Sequence, residues 1–260
     1  MKNELIELID WFRANKLSLN ISKTNYVMLS PKNLKLNDDS NLNDCNLVFG
    51  NESIEESNNV KFLGLQIDKH LEWNKQFDKA FAKLSRGIYF LNRVKNFLPH
   101  SAMVTLYHSL FHCHLMYGLV LWGTSITADL KEKLRVKQKK AIRALNNAGY
   151  NAHTHQLFVK DKILKIDELI HHEQLKVMYQ VYTNDLPEPL LQIFSPNPTQ
   201  YRTRQLKDPK VLKPKYDPLT KSFFAKGPTL WSNVSNSDKL SKNLKAFAKS
   251  VKKKLIANNY

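Results

Sequence analysis

The sequence predicts an α+β fold that is mostly α, with a small antiparallel β region followed by a long helical domain and a basic helical tail. Three observations predict it. Short runs of strand-forming residues, separated by polar turn-forming stretches, occupy the first 70 residues. From Trp73 onward the apolar residues recur at steps of three and four, the period of a helix. The last stretch, Lys239 to Ile256, puts Leu240, Leu244, Phe247, Val251 and Leu255 on one side and seven lysines around the other. The corresponding divisions are 1–70, 71–185 and 186–260.

In chain order, Leu5, Ile6, Leu8, Ile9 and Phe12 give the first segment an apolar stripe at helical spacing. Ile21 to Leu29, Asn46 to Phe49 and Val60 to Ile67 read as short strands. Between the first two, Pro31 to Asp44 is polar and reads as a loop or hairpin tip. Its adjacent carboxylates, Asp38 and Asp39, belong to an Asn-rich turn, where short polar side chains bond their own backbone. Phe77, Phe81, Leu84, Ile88, Leu91 and Leu98 then build one continuous apolar helical face. Lys79, Lys83, Arg86 and Arg93 fall opposite it without interleaved acids, which suits contact with a phosphate backbone.

Phe97 to Ala128 contains no Asp, Glu, Lys or Arg. Four histidines, Pro99 and several hydroxyls interrupt it, so His100 to Trp122 reads as a buried helix bent near Gly118 rather than a membrane span. His108, His112, Cys113 and His114 crowd this segment, but no downstream ligand pair has zinc-like spacing, and His171, His172 and Glu173 do not form H-E-x-x-H. No metal site is expected. Asp129 to Arg143 carries seven basic residues, among them Lys133, Lys137, Lys140 and Arg143, against two acids, and Gly149 is the expected cap after it. Ile163 to Tyr182 reads as a helix or a pair, with Ile166, Leu169, Ile170, Val177, Met178 and Val181 facing the core. Ser195 to Lys221 holds five of the ten prolines and reads as a connector, where Tyr201, Arg202 and Arg204 are candidates for stacking on bases and pairing with phosphates.

The net charge of +17 is unevenly spread: residues 1–60 carry 6 basic and 9 acidic side chains, and residues 61–260 carry 34 and 14. A positive field of that size attracts polyanions, and counterion release makes nucleic-acid phosphate the natural partner. Anionic membranes attract basic surfaces too, and the C-terminal amphipathic helix suits a membrane surface, a protein groove or a phosphate backbone, but no membrane partner is expected. Cys45 and Cys113 stand far apart with no C-x-x-C, which excludes a disulfide framework and fits a reduced intracellular setting, nuclear or cytoplasmic. The N-terminus has acidic residues where a signal peptide needs an apolar run, so secretion is not expected.

Two blocks carry a resemblance. Trp11 to Leu29, WFRANKLSLNISKTNYVML, is similar to a palm segment of reverse transcriptases from non-LTR (LINE-like, jockey/CR1-type) retrotransposons, in which W-F-x-x-N-K-L leads into L-N-x-x-K-T-N-Y. Val60 to Asp68, VKFLGLQID, resembles the same family's primer grip, with Phe62, Leu63 and Gly64 at the F-L-G positions. Ser109 to Gly123, Gln138 to Leu145, Asn151 to Phe158 and Lys226 to Trp231 (KGPTLW) also look like the family's C-terminal region. The resemblance implies a palm remnant over 1–70, a helical thumb-like domain and a basic tail. It places Lys23 near the incoming nucleotide, as a vestigial catalytic-side lysine, and makes F-L-G the holder of the primer end.

In that family the metal-holding aspartates form an aromatic-x-Asp-Asp hairpin just upstream of the W-F helix, and the chain opens only ten residues before Trp11. The expectation is therefore a truncated piece of an RNA-directed DNA polymerase. It would keep the parts that position primer and template, with no cofactor of its own, whereas the intact parent would use Mg2+. The expected nucleic-acid contacts are Phe62, Leu63, Gly64, Lys79, Lys83, Arg86, Arg93, Lys133, Lys137, Lys140 and Arg143, directed to RNA or DNA backbone. Two alternatives are a stand-alone basic helical RNA- or DNA-binding module and a subunit that complements a catalytic palm on another chain.

Overall fold

In the computed structural model the change of period at Trp73 is also where the chain divides, into units 1–72 and 73–260. The structure describes residues 2–32, 47–49, 52–194, 209 and 217–257. It is mostly helical with a few short strands, as the sequence predicts.

In the first unit, helix α1 (Lys2–Ala14) half-buries Leu5, Ile9 and Phe12, while Ile6, Leu8 and Trp11 stay exposed, so its apolar stripe is narrower than expected. The expected strand over Ile21 to Leu29 is broken. Ile21–Lys23 is a single 3-10 turn, and only β1 (Asn25–Tyr26) is extended. Asn20 causes the break: its carbonyl accepts the Thr24 hydroxyl at 2.8 Å, and its side-chain oxygen accepts the Ser22 hydroxyl at 2.7 Å, local bonds that compete with a strand ladder. Strands β2 (Val48–Phe49) and β3 (Glu52–Ser53) pair antiparallel, whereas β4 (Glu55–Glu56) pairs with β1 in parallel. The β region is thus not wholly antiparallel. Asp38 and Asp39 lie outside the described residues, as do Tyr201, Arg202 and Arg204.

Val60 to Ile67, expected as one strand, is a hairpin of β5 (Asn59–Phe62) and β6 (Leu65–Asp68), with Phe62 opposite Leu65. Leu63 (φ 44°) and Gly64 (φ 84°) form its two-residue turn. Two successive positive φ values are the signature of the tight turn whose twist matches that of the flanking strands, and they explain the glycine at the second position.

In the second unit, α2 (Asn74–Val94) buries Phe77, Ala80, Leu84, Gly87, Ile88 and Leu91. Phe81 is half-buried and Leu98 is exposed, so the expected face ends one turn short. A Cβ on Gly87 would lie 2.5 Å from the Leu110 carbonyl oxygen, so the absent side chain lets α2 press against the following segment. That segment is interrupted rather than one bent helix: α3 (His100–Tyr107), a π turn (His108–His112), α4 (Cys113–Met116), extended Tyr117, left-handed Gly118 and α5 (Leu119–Trp122). Met103, Tyr107, Phe111, Leu115, Leu119 and Trp122 are buried. Among the described residues no helix is long and apolar enough to cross a membrane.

Thr127 caps α6 (Ala128–Leu145) by accepting the Leu130 N–H. Its C-terminal cap is Asn147 (φ 47°) rather than Gly149: Ala148 N–H reaches the Arg143 carbonyl and Asn147 N–H that of Ala144, the bonding pattern of a left-handed cap in which asparagine substitutes for glycine. Helix α7 (His155–Lys160) leads to α8 (Ile166–Tyr182), whose first turn is closed by the Lys165 N–H on the Glu168 carboxylate. After α9 (Glu188–Ile193), α10 (Asp217–Lys221), α11 (Phe223–Ser232), α12 (Asn236–Lys239) and α13 (Leu244–Ala257) follow.

The tail, expected as a separate region from 186, shares a core with α8. Met178, Tyr179, Phe194, Phe223, Trp231, Phe247 and Val251 form one buried cluster. Tyr179 stacks on Phe247 with ring centres 4.6 Å apart and donates its hydroxyl to the Ser241 carbonyl at 2.6 Å. The expected basic helix begins at Leu244, not Lys239, and leaves Leu240 exposed.

Candidate nucleic-acid interface

Lys23 is exposed at the end of the 3-10 turn. Phe62 (59% exposed) and Leu63 (77%) stand out at the hairpin turn beside Gly64, so two apolar side chains meet solvent where most hairpins carry polar residues. These residues share the first unit.

Of the eight basic candidates of the second unit, four lie on α2 and four on α6. At 100° per residue, Lys79, Lys83, Arg86 and Arg93 share one flank, in steps of four, three and seven. Arg86 and Arg93 are exposed, and Lys79 and Lys83 half-buried. Phe90, 46% exposed, lies between Arg86 and Arg93 on that flank, and the Arg93 guanidinium sits 5.9 Å from the ring centre of exposed Tyr89. His114 belongs to the same surface: burial, then the charges of Lys83 and Arg86, hold its imidazole below the ordinary histidine range. Basic side chains with aromatics between them can grip phosphates and stack on bases. Phe90 and Tyr89 were missed in the sequence because aromatics on a helix with an apolar face read first as core.

The other flank of α2 meets α6, where the dense basic run is largely consumed by packing. Lys137 donates to the Ser85 hydroxyl at 2.7 Å and lies 4.5 Å over the Phe81 ring. Burial, then Lys140, lowers its pKa. Arg143 donates from Nε to the Ala152 carbonyl at 2.9 Å and so fastens the turn after α6. Lys137 and Arg143 thus each make a bond within the fold, which leaves them less free to meet phosphate than the exposed arginines of α2. Arg135 grips Asp167 through Nε (2.7 Å) and Nη2 (2.9 Å), fixing α6 to α8, and these bonds with that to Glu132 raise its pKa.

Lys133 pairs with Asp129 at 2.8 Å, an exposed bond of small energetic worth that solvent or phosphate can exchange. Lys133, Lys137 and Lys140 line a shallow groove of about 380 Å3 with Phe81, Val136, Asp129 and Glu132. Its two carboxylates make it a weaker anion site than the α2 flank.

Among the described residues, no group of three or more His, Cys, Asp or Glu side chains comes together to hold a metal ion. His108 and His112 do meet, with ring centres 4.9 Å apart. Burial, then His108 and Lys252, lowers the His112 pKa to about 4, an environment that opposes a cation. Cys113 is exposed and donates to the Ser109 carbonyl. Comparison of the chain with protein-family models, curated proteins and solved structures finds no match.

Proposed function

We propose that the chain is the part of a non-LTR reverse transcriptase that follows the catalytic hairpin, and that it holds nucleic acid by its sugar-phosphate backbone. The observation that carries the binding reading is the α2 flank, where Lys83, Arg86 and Arg93 alternate with exposed Tyr89 and Phe90 and share their surface with His114. Most of the chain's excess charge lies in the same unit. Backbone contacts of this kind give affinity without reading sequence. The family reading rests on the W-F-x-x-N-K-L, L-N-x-x-K-T and F-L-G blocks and on their order along the chain.

Fluorescence anisotropy with an RNA–DNA hybrid, duplex RNA and duplex DNA of unrelated sequences tests the binding reading. The expected result is similar affinity across sequences, with weaker binding when Arg86 and Arg93 are both changed to Glu; sequence-selective binding that ignores these changes would contradict it. Sequencing the transcript across the Met1 codon tests the family reading. An upstream frame that encodes an aromatic-x-Asp-Asp hairpin supports it, and an upstream region without one leaves the stand-alone binding module or the complementing subunit.

A further inference from the structure

The second unit contains a cleft of about 440 Å3 between α6, α8 and α11, away from the α2 flank. Gln174 lines it with 0% exposure, and both its amide nitrogen and its amide oxygen are without a hydrogen-bond partner among the described residues. The Thr124 hydroxyl, also buried and on the lining, has none either. Buried polar groups are almost always satisfied, because leaving one unpaired costs free energy, so three such atoms on one cleft indicate a site shaped for an occupant.

The rest of the lining says which kind. Lys226 donates to the Thr124 carbonyl at 3.2 Å, and burial, then Lys131 and Lys221, lowers its pKa. Lys131 stands 3.8 Å from Asp167, the one carboxylate among the described lining residues, whose oxygens are already taken by Arg135. The cleft therefore carries a cationic excess. Desolvation holds His171 below its ordinary pKa; Asp167 favours its protonation, and Lys131 and Lys226 oppose it. Ile170, Ala225 and Leu230 supply apolar wall.

We infer that this cleft binds a nucleoside 5′-monophosphate unit, with Lys226 and Lys131 on the phosphate, the Gln174 amide on the base edge and the apolar wall against base and ribose. A side-chain amide presents one donor and one acceptor side by side, the complement of a nucleobase edge and not of a bare anion. The volume lies in the usual small-ligand range of roughly 300–1,000 Å3. The unit comes either as free nucleotide or as the 5′ end of a strand. None of these lining residues belongs to the α2 flank.

Isothermal titration of the full chain with AMP, GMP, CMP and UMP, with adenosine, and with inorganic phosphate tests it. At least one mononucleotide should bind more tightly than either adenosine or phosphate. Lys226→Gln and Gln174→Met should each weaken that binding by about tenfold, the scale of removing one charged or buried hydrogen bond. Gln174→Met should also raise the melting temperature, because it removes two unpaired buried atoms, which separates its effect from misfolding. Lys75→Glu, at an exposed position of α2 outside the cleft lining, should leave nucleotide affinity unchanged. A 5′-phosphorylated hexanucleotide that displaces the mononucleotide identifies a strand end as the source, and one that fails to displace it identifies free nucleotide. No binding by any mononucleotide, phosphate binding as tight as the best nucleotide, or full affinity in Gln174→Met would overturn the inference.

Discussion

The two units solve the same problem with very different resources. In the second, Leu84, Leu91, Tyr107, Phe111, Trp122, Leu134, Trp231 and Phe247 are almost wholly removed from water. In the first, the buried apolar side chains among the described residues are Leu47 and Ile54, while Trp11, Leu17, Leu29, Phe62 and Leu63 are exposed. Its strands are two to four residues long and pair only two by two. Isolated two-stranded pairs are marginal in water, and exposed apolar side chains on unpaired edges invite association. The difference teaches that stability resides in the second unit, whereas the first presents a surface suited to further packing.

The largest expected effect that sharpens this comparison comes from paired tryptophan substitutions. Trp231→Ala should cost about 3–5 kcal/mol in urea unfolding, because it empties the centre of the α8–α11–α13 core. Trp11→Ala, at an exposed site, should stay within about 0.5 kcal/mol. Equal costs would break the comparison.

Acid should act next, through a buried histidine of the second unit. The folded pKa of His112, about 4, lies below the ordinary value of 6.5, and His108, Lys252, Lys176 and Glu173 are the charged or titratable groups around it. The unfolded state therefore binds the proton more readily. The resulting stability is fully present above pH 6.5 and disappears as pH falls toward 4, by up to about 3 kcal/mol at 1.36 kcal/mol per pKa unit. Thermal melts of His112→Gln should be flatter across that window than those of the parent; identical pH profiles would remove the histidine from the explanation.

A smaller effect belongs to the hairpin. Leu63 holds a left-handed backbone that costs a residue with a Cβ about 1–2 kcal/mol, so Leu63→Asn, which creates an Asn-Gly turn, should slow hydrogen exchange at the β5–β6 amides. Unchanged or faster exchange would show that Leu63 is better placed than its dihedral suggests. The smallest effect is at Lys137, where Lys137→Gln should cost about 1 kcal/mol by removing the ammonium from the Phe81 ring and the Ser85 hydroxyl, and should leave nucleic-acid affinity nearly unchanged. A large drop in affinity would return Lys137 to the interface.

Periodicity made the helical core legible. Phe77, Leu84, Ile88 and Leu91 are buried where the steps of three and four place them, as are Ile166, Leu169, Ile170, Met178 and Val181. What periodicity cannot supply is the partner across the interface. Nothing local distinguishes Lys137, drawn onto Phe81, or Arg143, drawn onto Ala152, from Lys140 in the same run. The hairpin was hidden because Leu-Gly lacks the Asn-Gly signal of its turn type, and Gly149 looked like the α6 cap because the sequence does not reveal that Asn147 takes the left-handed conformation first. The tail joined the core through Trp231, Phe247 and Val251, which meet residues far away in sequence. The cleft lining was illegible for the same reason: Thr124 in the turn after α5, Gln174 on α8 and Lys226 on α11 are far apart in sequence.

The most direct test of the binding account is the salt dependence of duplex affinity for the full chain and for the Arg86→Glu, Arg93→Glu double variant, measured from low to physiological salt. If the α2 flank holds the phosphates, the double variant binds more weakly to every sequence, and the slope of log affinity against log salt becomes shallower by roughly one for each phosphate no longer neutralised. A parent and a variant with the same affinity and the same slope would contradict it.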